Sequence, residues 1–470
     1  MNNNVRVRFA PSPTGHLHIG SVRVALFNWL FARHNGGKYL LRVEDTDTMR
    51  STQEYTDALF DMLSWFGMQH DENPVYQKAR ADEHRHVALE LVRQGKAYPC
   101  FCPPKDAEDR VNDLEQGIGS KYDGTCRNKP FTEEDLKKPH AIRFKLSENI
   151  QSVSFDDMVL GPISVEAKEL DDYIIIRRDG MPVYNFCVVV DDIFMKISHV
   201  IRGQDHISNT PKQILYYQAL DAQIPQFAHI PLILSPTGAK LSKRDAAVAV
   251  AEYKAQGYLP EALRNYLVRL GWSHGDQEVF TNEELIAFFS FDHVGKKGSI
   301  FDIAKLQWLN SFYIRQTPAS RILELLEQIN KDYKNDLEKA WGESALIALI
   351  DQYKQRAVTL IEIYKNIIAL ALPPEAYDLS LIEKWRFDKT KDLISWFLDA
   401  VAQMQTLDHD TLLAKANEGC THCGAKLVQL AQPLRLALTG GIVSPGVFEL
   451  IAIMGREKTI ARLEMFLKTL

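Results

Sequence analysis

A chain of 470 residues, at about 150 residues per domain, predicts roughly three domains with cores large enough to need no disulfide staples. Hydrophobic residues make up 46% and charged residues 25%, an ordinary globular balance, and no apolar run approaches the ~18 residues of a membrane span. The net charge of −6, from 55 Lys and Arg against 61 Asp and Glu, excludes a uniformly basic surface but not a local basic face, which is all that a nucleic-acid partner requires.

The first residues lack the apolar core of a secretion signal, so a reducing cytoplasm is expected, where close cysteines are read as metal ligands before disulfides. Val5–Phe9 alternates apolar and polar residues and predicts a strand. Turn-forming residues from Pro11 to Gly15 follow. A helical pattern then runs from about Ser21 to Asn35, with Leu26, Trp29 and Leu30 on one side and Gly36-Gly37 as its stop. Tyr39–Val43 predicts a second strand, ending at Glu44-Asp45, and Ser51 with Glu54 forms a capping box for a helix carrying Leu59, Met62, Leu63 and Phe66. This alternation predicts a parallel α/β domain. From Pro103 to Lys138 the chain becomes charge-rich and irregular, as in an insertion. Strand-like runs return at Ala141–Leu146, Asp172–Ile176, Tyr184–Val190, His199–Ile201 and Pro231–Leu234, with Thr210 as the N-cap and Pro211 in the first turn of another helix. From about Leu259 the helical period takes over, and Ile322–Ile329, Ala345–Leu370, Asp392–Leu407 and Phe448–Leu470 predict amphipathic helices. The main domain border is expected at residues 310–320.

Two segments carry chemistry. In Arg8–Gly20 a strand ends, a turn follows and a helix begins, which gathers His18, Gly20 and the free N–H groups of a helix N-terminus at one point, a setting for phosphate. Alone, such a segment is equally an ordinary turn. Lys240-Leu241-Ser242-Lys243-Arg244 places three cations in five residues after Thr237-Gly238, which suits a phosphate-embracing loop and, alone, equally a solvated charge run. Together the two segments resemble the paired signatures of class I aminoacyl-tRNA synthetases: His18-Ile19-Gly20-Ser21 is similar to H-I-G-H, with Ser in the last place, and 240–244 is similar to K-M-S-K-S, with Leu and Arg in the second and fifth. Within that class the chain resembles the bacterial glutamyl-tRNA synthetases, through R-F-A-P-S-P-T-G at 8–15, L-R-V-E-D-T-D at 41–47, Y-N-F-C-V-V-V-D-D at 184–192, V-I-R-G at 200–203, D-H-I-S-N-T-P at 205–211 and K-L-S-K-R at 240–244.

The resemblance implies a Rossmann-type α/β catalytic domain with an inserted acceptor-binding domain, followed by an all-α anticodon-binding half. Its implied divisions are residues 1–98 and 191–245 for the catalytic domain, 99–190 for the insertion, 246–317 for a stem-contacting connection and 318–470 for the anticodon domain. It implies ATP with Mg²⁺, L-glutamate and tRNA(Glu) as partners, with no membrane and a monomer as the acting species. His18, Gly20, Lys240, Lys243 and Arg244 are expected at the catalytic centre, and His18, Gly20, Asp205 and Lys243 at ATP. Arg8, Ala10, Ser12, Glu44, Tyr184 and Arg202 are expected around glutamate, with Arg8 and Arg202 on carboxylate, Tyr184 adding its hydroxyl and Glu44 taking the ammonium. An Arg grips a carboxylate with matched charge, as it cannot grip glutamine. The sequence departs from the family at Gln204, where an acid is usual, which puts the nucleotide contacts there in question.

Cys100, Cys102 and Cys126 have the spacing of three zinc ligands. Asn128 stands where some family members carry a His, and Tyr122, His140 or water are the alternatives for a fourth, with free thiols in a degraded site the competing reading. Cys420 and Cys423 lack a second half nearby and are read as helix or loop cysteines, and Cys187 as a core residue in an apolar strand. Arg356, Arg435 and Arg456 are candidate cations of the anticodon half. The P-S-P-T-G turn and the helical second half separate the chain from glutaminyl-tRNA synthetases, which resemble P-P-E-P-N-G there and continue into β-barrels.

Overall fold

The computed structural model describes residues 5–47, 49–103, 121–241 and 249–470. By packing, Met1–Glu252 with Arg264–Asp302 forms one compact unit and Tyr253–Leu263 with Ile303–Leu470 a second.

The first unit is α/β. Strand β1 (Arg6–Phe9) pairs in parallel with β2 (Lys38–Val43), and β2 with β3 (Val75–Tyr76). Helix α1 (Ile19–His34) connects β1 to β2 and packs on both. Its apolar positions recur on more than one face, and Val22, Leu26, Phe27 and Leu30 are all fully buried. The helix begins two residues earlier than its apolar period suggests because His18 caps it. Helix α2 (Gln53–Trp65) is capped by Thr52, whose side chain accepts from Tyr55 N–H, and not by Ser51 as the capping-box pattern implies.

After α3 (Ala81–Arg93), strands β4 (Ala97–Cys100), β5 (Ala141–Phe144) and β8 (Ile174–Ile176) form an antiparallel sheet, and β6 (Ser152–Asp157) and β7 (Gly161–Glu166) a hairpin. The expected strand at Tyr184–Val190 is instead helix α4, Tyr184–Phe194. A five-residue apolar run has no resolvable period, and flanking polar residues decide it: Asn185 bonds Asn209 and Gln213 from one end, while Asp191 and Asp192 are buried at the other. Strand β9 (His199–Gly203) then leads through a short 3₁₀ turn into α5 (Thr210–Ala219), which carries Pro211 in its first turn. Thr210 is not its cap; it lies inside the helix with its hydroxyl engaged elsewhere. Strand β10 (Gln226–Ile230) is parallel to β9 and to β6.

Ser198 N–H donates to the Arg6 carbonyl, which sets the start of β9 beside β1. The parallel strands thus run in the order β3, β2, β1, β9, β10, reversing direction of progress between β1 and β9. In such doubly wound sheets, ligands bind beyond the carboxyl ends of the strands at that reversal. The ends in question are Phe9-Ala10 and Gly203-Gln204.

The second unit is helical. The predicted single helix over Ala345–Leu370 is two, Glu343–Tyr353 and Leu360–Ala369, because Thr359 caps the latter by accepting from Glu362 N–H. The predicted C-terminal helix spans Val447–Leu467 and is interrupted at Gly455, whose φ of 78° is available to glycine. Leu326, Leu349, Ile363, Leu412, Leu434 and Leu463 form its fully buried centre. Cys420 and Cys423 are buried in the same core, on the last turn of the helix His409–Cys423. Among the described residues no helix is long and apolar enough to cross a membrane.

Candidate active site

The carboxyl ends of β1, β2 and β9 converge with α4 on a buried cluster of charge. Arg8, on β1, is 4% exposed and uses Nε and Nη2 on Asp192, at 3.0 and 3.3 Å. Arg42, on β2, is fully buried and bridges Asp192 to Glu44, whose Oε1 lies 3.1 Å from Nη2. Burial would raise the Asp192 carboxyl, but Arg8 and Arg42 outweigh it and hold the group below the usual carboxylate range. For Glu44, burial wins over Arg42 and its pKa is raised. Each of these shifts follows from desolvation competing with opposite charge.

Arg202, on β9, is 5% exposed and has no carboxylate. Its Nε donates to His229 Nε2 at 3.1 Å and its Nη2 to Thr210 Oγ1 at 2.7 Å, while Nη1 is buried without a partner. Burial lowers its pKa to about 10. A buried guanidinium with an unused N–H donor is costly unless a ligand completes it. Of these three guanidinia, Arg8 and Arg42 bond carboxylates directly, on Asp192 and Glu44, and Arg202 does not. Tyr184 opens α4 with its ring exposed and its hydroxyl 3.4 Å from His206 Nδ1. Burial of that hydroxyl, then the charge of Glu44, push it up to about 12, so it stays a donor at neutral pH. Ala10 and the exposed Ser12 lie in the loop after β1, where the Pro11 carbonyl accepts from Glu44 N–H at 2.9 Å and so ties the loop to the end of β2.

The phosphate-type residues lie beside this cluster and are exposed. His18 caps α1, its Nδ1 accepting from Ser21 N–H at 3.2 Å. A Cβ on Gly20 would stand 3.0 Å from that nitrogen, so the small residue makes room for the imidazole rather than for a ligand alone. Lys240 Nζ is 3.7 Å from Asp205 Oδ2, and both bear on His18: its pKa is lowered, by burial first and Lys240 second, against Asp205. Gly203 is matched to Asp205, whose Oδ1 would lie 2.5 Å from a Cβ there. Gln204, the departure from the family pattern, is half-buried at the start of the 3₁₀ turn.

Lys243 and Arg244 lie outside the described residues, but the ends of their segment are fixed. Leu241 N–H donates to the Ile233 carbonyl at 3.1 Å on one side, and Ala249 bridges to His18 on the other, with Val250 N–H donating to the Leu17 carbonyl at 3.0 Å.

Cys100, Cys102 and Cys126 bring their sulfurs within 4.8 Å of one another. The Tyr122 hydroxyl is 3.5 Å from Cys100 Sγ and from Cys102 Sγ, and Cys102 Sγ is 3.5 Å from Cys126 Sγ. A tetrahedral Zn²⁺ with Zn–S of about 2.3 Å and Zn–O of about 2.0 Å separates sulfurs by about 3.8 Å and sulfur from oxygen by about 3.5 Å. The four groups fit those spacings. Cys126 N–H also donates to the Tyr122 oxygen at 2.8 Å and the Arg143 guanidinium lies 3.8 Å from the ring centroid, while burial and the hydrogen bonds with Cys100 and Cys102 push the Tyr122 hydroxyl up, so that a cation would have to displace its proton. Among the described residues the set of ligand atoms lying within 4.8 Å of one another holds the three cysteine sulfurs and not His140.

In the helical unit, Arg356 Nη1 donates to the Ser444 carbonyl at 2.7 Å and Arg435 Nε to Ser444 Oγ at 2.9 Å, so two of the three candidate cations converge. Arg456 bonds the Met404 carbonyl instead.

Reading the sequence missed Arg42, Asp192, His229, Thr210 and Asp157. Each is a charged or polar residue fully or nearly buried on a strand or helix, and a polar residue in an alternating strand is ordinarily assigned to the solvent face. Arg42 and Asp192 do fall within the stretches 41–47 and 184–192 that carry the family resemblance, which was the available signal.

Two family models cover the chain. One described as tRNA synthetases class I (E and Q), catalytic domain, matches residues 4–308, and one described as an anticodon binding domain matches residues 320–467. The glutamate–tRNA ligase of Thermodesulfovibrio yellowstonii is 44% identical over 98% of this chain and 98% of its own. That of Francisella philomiragia is 43% identical over 99% of each. The crystal structure of a glutamate tRNA ligase from Elizabethkingia meningosepticum, in complex with its amino acid, matches with a TM-score of 0.88 at 32% identity, covering 99% of this chain and 100% of that one.

Proposed function

The chain belongs to the glutamate–tRNA ligases, within the class I tRNA synthetases of the glutamate and glutamine type, and from that premise we propose how its residues activate L-glutamate with ATP and pass it to the 3′-terminal adenosine of tRNA(Glu). The observation that carries the reading is the buried guanidinium of Arg202, whose Nη1 has no partner among the described residues. A glutamate carboxylate completes it.

In this reading Arg202 and Arg8 grip carboxylate, Tyr184 adds its hydroxyl, and Glu44 takes the ammonium, with Ala10 and Ser12 beside the substrate. Glutamine offers an amide in place of the carboxylate and leaves the guanidinium uncompensated. Sites built around such a buried partner reject the mismatched analogue strongly, by factors of about 10⁴. The substrate carboxylate oxygen attacks the α-phosphorus of ATP, the bond to the bridging oxygen breaks, and pyrophosphate leaves with the charge. No side-chain nucleophile is needed. The protein's part is alignment and stabilisation of the developing phosphate charge, assigned to His18, Lys240, Lys243 and Arg244, with Gly20 and Asp205 at the nucleotide and Mg²⁺ entering with ATP. Zn²⁺ held by Cys100, Cys102, Cys126 and Tyr122 would be structural, cross-linking the region 99–190 that is assigned to the acceptor end. Residues 1–98 with 191–245, 246–317 and 318–470 are assigned to catalysis, the stem connection and the anticodon, in a cytoplasmic monomer.

Glutamate-dependent ATP–pyrophosphate exchange tests the reading. Exchange is expected with glutamate and tRNA(Glu) together, and equal or faster exchange with glutamine overturns the substrate assignment. Metal analysis of protein never exposed to chelator tests the cysteine cluster: about one Zn²⁺ per chain is expected, and a content near zero removes the site.

A further inference from the structure

Behind Arg202 lies a second buried layer that makes no contact with the assigned substrate atoms. His229, on β10, is fully buried, as is its neighbour Asp157 at the end of β6, where the side-chain carboxylate is inaccessible. His229 Nδ1 lies 2.6 Å from Asp157 Oδ2. Its other nitrogen, Nε2, meets Arg202 Nε at 3.1 Å and Thr210 Oγ1 at 3.1 Å. Thr210 Oγ1 in turn accepts from Arg202 Nη2 at 2.7 Å.

These four groups admit one arrangement of protons. Arg202 can only donate, so His229 Nε2 must accept and the imidazole proton must sit on Nδ1. Asp157, as a carboxylate, accepts that proton and fixes the tautomer. Thr210 accepts from Arg202 Nη2 and turns its own O–H toward His229 Nε2. The outcome is a guanidinium held at Nε and Nη2 from behind, with Nη1 the one nitrogen left unpartnered. Asp157 is itself fixed: its Oδ1 accepts from Val159 N–H at 3.0 Å and Leu160 N–H at 2.9 Å, which builds the turn of the β6–β7 hairpin.

We infer that Asp157 and His229 are positioning residues that set the tautomer and orientation of the layer behind Arg202, and so determine the affinity of the site for the glutamate carboxylate. The inference rests on the reading of Arg202 as a carboxylate ligand. The protonation states agree with the geometry. Burial lowers the His229 pKa, against the hydrogen bond it donates to Asp157, so the ring is neutral at pH 7. Burial raises Asp157, but His229 and the hairpin N–H groups outweigh it and keep the group ionised. The groups facing His229 are Asp157 from β6, Arg202 from β9, Thr210 from α5 and, at longer range, Arg8 from β1.

Asp157→Asn keeps the shape of the side chain and tests this role, while also facing the His229 main-chain N–H, from which Oδ2 accepts at 3.1 Å. The amide oxygen stays with the hairpin N–H groups, so the amide N–H₂ faces His229 Nδ1 and drives the imidazole proton to Nε2, against Arg202. The expected result in tRNA-dependent exchange is a glutamate KM at least tenfold higher, with the ATP KM unchanged within twofold. The double variant Asp157→Asn with His229→Gln offers Arg202 an amide oxygen in place of Nε2 and is expected to recover at least threefold of that loss. Thr210→Val removes the Nη2 acceptor and the O–H turned toward His229, and is expected to raise the glutamate KM several-fold. Three outcomes overturn the inference: a glutamate KM within twofold of wild type in Asp157→Asn, glutamate and ATP KM values rising together, or a double variant no better than the single one. Arg202→Ala is the control. If it leaves the glutamate KM unchanged, the assignment of Arg202 fails and the positioning role falls with it. If it raises that KM while Asp157→Asn does not, only the positioning role fails.

Discussion

The two ends of the candidate site are built in opposite ways. At the amino-acid end Arg8, Arg42, Arg202, Asp192 and Glu44 are each less than a tenth exposed; four of them are locked to one another, and Arg202 is held by His229 and Thr210. At the nucleotide end His18, Lys240 and Asp205 are exposed, and the Lys240–Asp205 pair stands 3.7 Å apart. The difference follows from what each end must do. Telling a carboxylate from an amide demands desolvated, preorganised charge, whose cost the fold bears in advance. Stabilising a triphosphate as charge develops needs cations that reach the ligand, and those are solvated until it arrives.

If that contrast holds, removing a charge at the amino-acid end damages the fold, and removing one at the nucleotide end damages only the reaction. The largest effect is expected for Asp192→Ala, which strands Arg8 and Arg42 in the interior. Breaking a buried charge network in this way costs about 3–5 kcal/mol, to be read as an earlier urea transition. A stability within about 1 kcal/mol of wild type would show that the cluster is solvated after all. Lys243→Ala comes next and is the reverse case: the activation rate is expected to fall by about 10²–10³, the scale of losing one preorganised charge donor, with the urea transition unmoved.

Acid sharpens the same contrast. The folded pKa of Asp192 lies below its ordinary value, so its contribution to stability is complete above that value, near 4, and is lost as the pH falls through the lower folded value. The stability difference between wild type and Asp192→Asn is therefore expected to be constant from pH 5 to 7 and to shrink below pH 4. His18 titrates in another range. Its pKa is lowered from 6.5, so its imidazole gains charge only below that, and the KM for ATP is expected to move between pH 7 and 5 while the Asp192 difference stays flat.

How much of this was legible in the chain itself divides along the same line. His18, Lys240, Glu44, Tyr184 and Arg202 stand in ordered motifs, and the parallel α/β beginning and helical end follow from hydrophobic period. The interior layer did not show. Asp157 and His229 are far apart in sequence and polar, and nothing local marks them as buried; only the pairing of β6 with β10 and of β10 with β9 brings them to Arg202, whereas Thr210 stands eight residues after Arg202 inside the stretch 205–211 and reads there as a helix cap. Helix α4 was misread for the same reason, since Phe186–Val190 is apolar on every side and its helical form is decided by what Asn185, Asp191 and Asp192 reach. The Thr359 cap that divides 345–370 was local and readable, but a continuous apolar period hid it.

The smallest effect belongs to the Lys240–Asp205 pair. Its side chains are 66% and 50% exposed at a separation of 3.7 Å, and surface pairs of this kind contribute about 0–1 kcal/mol. Lys240→Ala should therefore leave the urea transition within that range. Its effect is expected on the reaction: after burial, the charge of Lys240 lowers the His18 pKa, so its removal lets that pKa rise. The pH at which the ATP KM changes should move upward with it, while the KM for glutamate stays at its wild-type value. An equal shift in both KM values would mean that the exposed and buried ends are one electrostatic unit, and the contrast between them would fail.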